Sequence, residues 1–323
     1  MVRDLAEQLD PELKGPIKKL LKLMPPTDFT RIPAARAASK QMIAAMHSKL
    51  PVIKGVVAED KKIPGPDGAP DVAVRLYRPE GQTGIIPALL WIHGGGYVFG
   101  DIDQEDYSAR IFALAGECAV VSVEYRLAPE NPYPAPVEDC YAALKWLSRN
   151  AGKLKIDSSR IAVGGGSAGG GLAAGLALLA RDRNEIEVCF QLLVYPMIDD
   201  LNVVPPGEDL PDSLFWTRAD NLAGWRCYLG SQPGKEEISC YAAAFRADAL
   251  EGLPPAYIAV GDIDLFARED IEYVRRLINA GVPTELHVYP GAPHAFEMLV
   301  PDADISRRFT SDIHRALKHA LHP

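Results

Sequence analysis

One octapeptide restricts this chain more than any other stretch: Gly164-Gly165-Gly166-Ser167-Ala168-Gly169-Gly170-Gly171. Ahead of it runs Arg160-Ile161-Ala162-Val163, short, apolar and β-branched enough for a buried strand. Behind it Leu172 to Ala180 is an Ala/Leu segment of buried-helix character. The glycines therefore fill a strand-to-helix turn. Within it, Gly165-x-Ser167-x-Gly169 has the spacing of a nucleophile elbow, in which a serine on a strained turn lifts its hydroxyl above the sheet edge. Residues two before and two after the serine approach each other as the chain doubles back, so a Cβ at either place would push strand and helix apart.

The same residues satisfy a rival pattern. Gly164-x-Gly166-x-x-Gly169 is a dinucleotide fingerprint, whose amides would cradle a pyrophosphate at a helix N-terminus. That reading needs an acidic residue closing the next strand about 20 residues on. The next strand, Val188 to Tyr195, ends later, and Asp199 follows the strand-breaking Pro196. No Gly-Lys-Ser/Thr follows, which excludes a Walker-type loop. A third reading, a turn that merely packs a helix on a sheet, is common for any one such turn, so the decision rests on whether the chain supplies chemical partners.

The remaining stretches read as an alternation of strands and helices. A helix over residues 4–24, capped by Asp10-Pro11 and stopped by Pro25-Pro26, precedes a second from Ala34 to Lys49 with Ala38, Met42, Ile43 and Met46 on one face. Val56 to Pro79 alternates with period two around Gly65-Pro66-Asp67-Gly68, an antiparallel hairpin. Apolar strands follow at Ala88–Ile92 and Ala119–Val123, then a helix at Val137–Leu147 leading to the Ser167 strand. After Tyr195 comes an irregular region, Met197 to Gly230, with Pro205-Pro206-Gly207, Pro211, Phe215, Trp216 and Trp225; insertions of that length are commonly lids or binding loops. Tyr257–Val260, a helix at Ala267–Asn279, Leu286–Tyr289 and a helix at Ile305–Leu321 complete the chain. The alternation predicts an α/β fold with a mostly parallel sheet covered by helices on both faces.

Net charge −9, from 34 basic and 43 acidic residues, argues against nucleic acid or an anionic membrane as partner. Lys18, Lys19 and Lys22 read as a solvated helix face. The five cysteines, Cys118, Cys140, Cys189, Cys227 and Cys240, lack Cys-x-x-Cys spacing and imply neither a disulfide framework nor a metal site. No signal-peptide core and no run near 18 apolar residues is present, so a soluble cytoplasmic protein without stable membrane anchoring is expected.

A serine hydroxyl is a poor nucleophile at neutral pH. It needs a base, usually a histidine oriented by a carboxylate, and donors for the developing oxyanion. In open α/β sheets such groups gather beyond the carboxyl ends of the strands. His294 lies there, in Pro290-Gly291-Ala292-Pro293-His294, and so do Asp262 and Asp264 after Val260 and Asp199 after the preceding strand. The residues alone leave the acid open among the three aspartates. His93-Gly94-Gly95-Gly96 follows an earlier strand, where residues without side chains let backbone N–H groups reach a substrate oxygen and the His93 ring pins the loop. His287 in a strand, and His47, His314, His319 and His322 in helices, read as structural or surface residues.

Together with Tyr125-Arg126-Leu127-Ala128-Pro129-Glu130 and Asp264-Leu265-Phe266, these motifs resemble the hormone-sensitive-lipase-like family of α/β-hydrolase carboxylesterases. The likeness runs from about residue 70 to the C-terminus and departs from the family pattern at Gly166, where Asp or Thr is usual, at Gly171, where Asn is frequent, and in the acid motif, which is commonly Asp-Pro-Leu. It implies the α/β-hydrolase fold, a Ser167, Asp264, His294 triad, and Gly94, Gly95 and the Ala168 amide as oxyanion donors. It also implies a helical cap drawn from residues 1–50 and an insertion near 198–230, with 51–323 as the hydrolase domain. The expected function is a serine carboxylesterase acting on short-chain acyl esters through an acyl-enzyme, with no organic cofactor or metal and a small-molecule ester as partner; a homodimer is left open. The alternative is a non-catalytic small-ligand receptor on the same fold, the route taken by the plant gibberellin receptor, against which an intact histidine speaks.

Overall fold

The computed structural model describes residues 5–23, 27–203 and 212–323. The expected helix start at Asp4, the Pro25-Pro26 stop, and Pro205-Pro206-Gly207 with Pro211 lie outside the described residues. The described elements are α1 (Leu5–Gln8), α2 (Pro11–Leu21), α3 (Ile32–His47), β1 (Val56–Ile63), β2 (Val72–Pro79), β3 (Ile86–Ile92), α4 (Asp106–Ala115), β4 (Ala119–Glu124) and α5 (Ala135–Asn150). They continue with β5 (Ile156–Gly166), α6 (Ala168–Arg183), β6 (Phe190–Val194), α7 (Arg218–Leu229), β7 (Ala256–Gly261), α8 (Ala267–Asn279), β8 (Thr284–Tyr289), α9 (Phe296–Leu299) and α10 (Asp304–Leu321).

The eight strands form one sheet in the order β1-β2-β4-β3-β5-β6-β7-β8. The β1–β2 hairpin and the β2–β4 pair are antiparallel; every pair from β4 through β8 is parallel. Side chains alternate across each strand, and the core divides accordingly. Ala88, Leu90 and Ile92 of β3 join Val121, Val163 and Ile258 under α5, α6 and α8. Leu89 and Trp91 join Val120, Ala162 and Tyr257 on the opposite face, under α4 and α10. The carboxyl ends of β3, β5, β7 and β8 consequently lie along one edge of the sheet.

Several expectations are corrected. The helix expected over 4–24 is broken at Leu9 and Asp10; Asp10 caps α2 by accepting from the Glu12 N–H, with Pro11 at the first helical position as expected. Partly buried Ile32 and Ala35 near the start of α3 pack on the core, whereas Ala38 and Met42 are exposed and no residue of the helix is fully buried. Arg36 faces inward in their place. Helix α4 was not foreseen. Neither was α7, inside the region read as irregular: Thr217 and Asp220 close a capping box at its start and Gly230 ends it with φ +62°. Helix α6 begins at Ala168, four residues earlier than the Ala/Leu run suggested.

The glycine turn is steric in origin. A Cβ on Gly165 would lie 2.3 Å from the Gly169 carbonyl, and one on Gly169 would lie 2.1 Å from the Ile92 oxygen. Gly166 is different: its φ is not positive, and a Cβ there would meet only Tyr195, at an ordinary 3.6 Å. Gly166→Ala should therefore stabilise the fold by about 0.4 to 1 kcal/mol by restricting the unfolded chain, whereas Gly165→Ala should destabilise it severely. Urea unfolding of the two variants checks the pair, and a lower midpoint for Gly166→Ala would refute the reading.

Candidate active site

Ser167 stands between the end of β5 and the start of α6 with φ +57° and ψ −122°, a backbone conformation that residues with a side chain rarely adopt. Three backbone bonds hold it: its N–H donates to the Val194 carbonyl at 2.9 Å, and its carbonyl accepts from the Gly171 and Met197 N–H groups, each at 3.0 Å. The conformation projects Oγ to within 3.0 Å of His294 Nε2. On the far side of the ring, Nδ1 lies 2.7 Å from Asp264 Oδ2. A carboxylate only accepts, so Nδ1 carries the proton and Nε2 presents its lone pair to the serine. Asp264 Oδ1 also accepts from the Phe266 N–H at 3.0 Å, which fixes the carboxylate plane. All three residues are buried, with Ser167 the most exposed at 9%.

The other aspartates do different work. Asp262 accepts from the Gly291 N–H at 2.6 Å and so ties the loop after β7 to the loop that carries His294. Asp199 accepts from the Leu201 N–H in a turn. The remaining histidines stay away from Ser167: His287 contacts Glu285 on β8, and His322 bonds the Gly116 carbonyl.

The glycine loop after β3 runs alongside. Gly94 packs so closely on the elbow that a Cβ would sit 2.8 Å from the Gly166 oxygen and 3.4 Å from Ser167 Cβ. Among the described residues no backbone carbonyl accepts from the Gly94 or Gly95 N–H, and Ala168 opens α6, where the first N–H groups have no helical partner. His93 pins this loop as expected: its ring stacks on Tyr125 at 4.1 Å, Tyr125 Oη donates to the His93 carbonyl, and Nδ1 donates to the Gly94 carbonyl at 2.8 Å. Burial lowers the His93 pKa to about 4, so the ring is neutral.

Several neighbours of this site escaped the sequence reading. Arg36 of α3 donates to the Val98 carbonyl at 2.7 Å and the Ala128 carbonyl at 2.8 Å, and pairs with Glu130. Trp216 lies against the glycine loop so tightly that a Cβ on Gly96 would fall 2.1 Å from its ring, and Phe29 packs edge-on against both Trp216 and Phe99. Tyr195 and Phe266 flank the imidazole with ring centroids 4.6 and 5.2 Å from it. Only Trp216 carried a usable signal, as an aromatic in a long insertion.

Comparison with known proteins gives the family. A profile of the α/β-hydrolase fold matches residues 89–298. The carboxylesterase NlhH of Mycobacterium tuberculosis is 36% identical over 321 residues, 97% of each chain. The structure of a bacterial heroin esterase superposes with a TM-score of 0.91 at 41% identity, covering 98% of this chain and 99% of that one. Esterase LipW of Mycobacterium marinum superposes at 0.83 with 33% identity, over 99% and 98% of the two chains. The chain belongs to the hormone-sensitive-lipase-like family of α/β-hydrolases.

Within that family, Gly171 has a local cause here. A Cβ at this position would lie 2.4 Å from the Tyr97 hydroxyl, which donates to the Met197 carbonyl at 2.7 Å and fills the space. Behind Asp264, α8 buries two further carboxylates. Glu269 accepts from the Ile198 and Asp199 N–H groups and from Asn202. Asp270 is fully buried, and neither carboxyl oxygen has a donor among the described residues. Burial, then the charges of Glu269 and Asp264, raise the Asp270 pKa well above its usual value. Such a group binds its proton more tightly folded than unfolded, so its contribution to stability falls as pH rises past the unfolded value of about 4. Asp270→Asn should therefore raise the melting temperature at pH 8 and change it little at pH 4; equal shifts at both would show that ionisation is not the cost.

Proposed function

We propose that this chain is a serine carboxylesterase that hydrolyses short-chain acyl esters through an acyl-enzyme. The observation that carries the reading is the continuous relay from Asp264 through His294 to Ser167 Oγ. In the reading, Oγ attacks the acyl carbon while its proton passes to His294 Nε2. The tetrahedral oxyanion accepts from the backbone N–H groups of Gly94, Gly95 and Ala168. Collapse breaks the bond to the alcohol oxygen, which takes the proton from Nε2. Water then attacks the acyl carbon, its proton moves to Nε2 and on to Oγ, and the free acid leaves. Asp264 holds the imidazole in the right tautomer throughout.

Residues 1–50 and the insertion near 198–230 form the cap over the 51–323 hydrolase domain. The Arg36, Phe29 and Trp216 contacts with the glycine loop support that division. The aromatic crowding there supports a small acyl or alcohol group. The five cysteines are free thiols, in keeping with a cytoplasmic enzyme, and no helix among the described residues is long and apolar enough to cross a membrane. A receptor that had abandoned chemistry would have no need of the His294 geometry.

Ser167→Ala should keep the fold and lose nearly all hydrolysis across a chain-length series of nitrophenyl esters, with the highest wild-type kcat/KM on the shortest acyl groups. Wild-type turnover in Ser167→Ala, or a rate rising with chain length, would sink the respective half of the reading. Asp264→Asn should cost up to about 10⁴ in turnover with little change in unfolding midpoint, as misorienting the base does elsewhere. Asp262→Asn, which loosens only a loop tie, should cost far less; the reverse order would make Asp264 the wrong acid.

A further inference from the structure

Three residues with side chains in the left-handed region of backbone space cluster at His294: Ser167 at φ +57°, Tyr195 at φ +37° and Ala295 at φ +56°. Strain of this kind persists where the surroundings over-determine it and is concentrated at functional sites. For Ser167 the purpose is plain. The other two cooperate on a different task. The Ala295 turn starts α9 immediately after His294 and returns Glu297 toward the ring. The Tyr195 backbone aims its side chain at the same place, with its ring edge-on to the imidazole and its hydroxyl donating to Glu297 Oε1 at 2.5 Å.

We propose that Glu297 is a positioning residue for His294, holding Tyr195 against the imidazole and supplying a second negative charge to the imidazolium formed during acyl transfer. The proposal rests on the serine-esterase reading above. Although the residue is half-buried as a whole, Oε2 is sealed from solvent and has no donor among the described residues. At the elbow, the Tyr195 ring and hydroxyl lie 3.6 and 3.9 Å from where a Gly166 Cβ would stand, both ordinary contact distances. The pair thus reaches the elbow itself.

Burial raises the Glu297 pKa to about 7, and the Tyr195 bond and His294 partly offset that rise. The groups that face the pair come from four elements: His294 from the loop after β8, Asp264 from the loop after β7, Glu105 from the segment before α4, which acts on the Tyr195 hydroxyl, and Phe309 of α10, which stacks uncharged on the Tyr195 ring. Glu297 therefore changes charge near neutral pH. Below its pKa it is a neutral partner of Tyr195. Above it, the carboxylate favours the protonated imidazole, which lowers the barrier to any step that forms imidazolium and also moves the acid limb of the rate profile to higher pH.

The test is the pH dependence of kcat and kcat/KM on a short nitrophenyl ester for wild type, Glu297→Gln and Tyr195→Phe, with unfolding midpoints measured alongside. Glu297→Gln keeps the acceptor and the shape but not the charge. It should lose several-fold in kcat at pH 8 with KM unchanged, lose little at pH 6, and shift the acid limb down by about one pH unit. Tyr195→Phe keeps the ring but removes the donor that lowers the Glu297 pKa, so the wild-type inflection near neutral pH should move upward. A Glu297→Gln profile superimposable on wild type overturns the proposal; if that variant does not fold, an unmoved inflection in Tyr195→Phe overturns it instead. In either case activity that still depends on Ser167 leaves the esterase reading standing, whereas wild-type turnover in Ser167→Ala would bring down that reading.

Discussion

The approach of Gly165 to Gly169, with the Ile92 carbonyl 2.1 Å from where a Gly169 Cβ would be, is the contact on which the candidate site depends. It brings the end of β5 and the start of α6 closer than chains with side chains can come. Only then does the residue between them take a positive φ, and only that φ points Oγ outward toward Nε2 rather than into the sheet. The cost of the strained serine is local, of order 1–3 kcal/mol. It is borne by a sheet whose central strands are buried on both faces and by a helix α6 that is nearly all buried Ala, Gly and Leu. The small residues of α6 serve the same end, since they let the helix lie close against the strand that feeds it.

Topology does the rest of the assembly. Because β3, β5, β7 and β8 are parallel, their following loops share one edge, and residues 93, 167, 264 and 294 meet without any of the elements bending toward the others. The loops are then held rather than left free: Asp262 ties its loop to Gly291, Tyr125 holds the His93 carbonyl, and Phe266 fixes Asp264 within its own loop. The N-terminal segment joins this network at two points. Asp10 donates its N–H to the Gly291 carbonyl, beside the His294 loop, and Arg36 binds the carbonyls of the glycine loop and of Ala128. A segment that contacts both the His294 loop and the segment following the glycine loop can influence each from outside the candidate site.

What was legible in the chain followed from local rules. Ser167, His294 and the glycine loop each sit in a short motif at the end of a strand; the segments just before Ser167 and the glycine loop were clear because burial on both faces leaves them continuously apolar, whereas β8 is partly exposed and carries Glu285 and His287. What was illegible required tertiary contact. Helix α7 mixes buried polar and apolar residues, Arg218, Asp220 and Asn221 with Trp225 and Tyr228, so no apolar stripe marks it; the Thr217-x-x-Asp220 capping box was the available sign. Of the apolar face drawn for α3, Ala38 and Met42 are exposed while Ile43 and Met46 are half-buried, and the helix also binds carbonyl groups through Arg36, a job that hydrophobic periodicity cannot show. The choice of Asp264 over Asp262 was likewise beyond periodicity, since both occupy the same loop and differ only in which neighbour their oxygens meet.

The carboxyl groups around His294 show how burial places like residues in unlike surroundings. Asp264, Glu269, Asp270 and Glu297 all lie near one end of β7 and β8, and four anions in so small a volume would repel one another and over-stabilise imidazolium. Burial prevents it. Burial raises the pKa values of Glu269 and Asp270 well above the usual range, which disfavours a charge on either. Asp264 accepts from two N–H donors, the imidazole and the Phe266 amide. Glu297 has one donor, one sealed oxygen and a pKa of about 7. The field at His294 thus depends on what each carboxylate faces: Asp264 bonds the ring directly, Glu269 gives its oxygens to the N–H groups of Ile198 and Asp199 and to Asn202, and Glu297 meets the ring's surroundings through Tyr195.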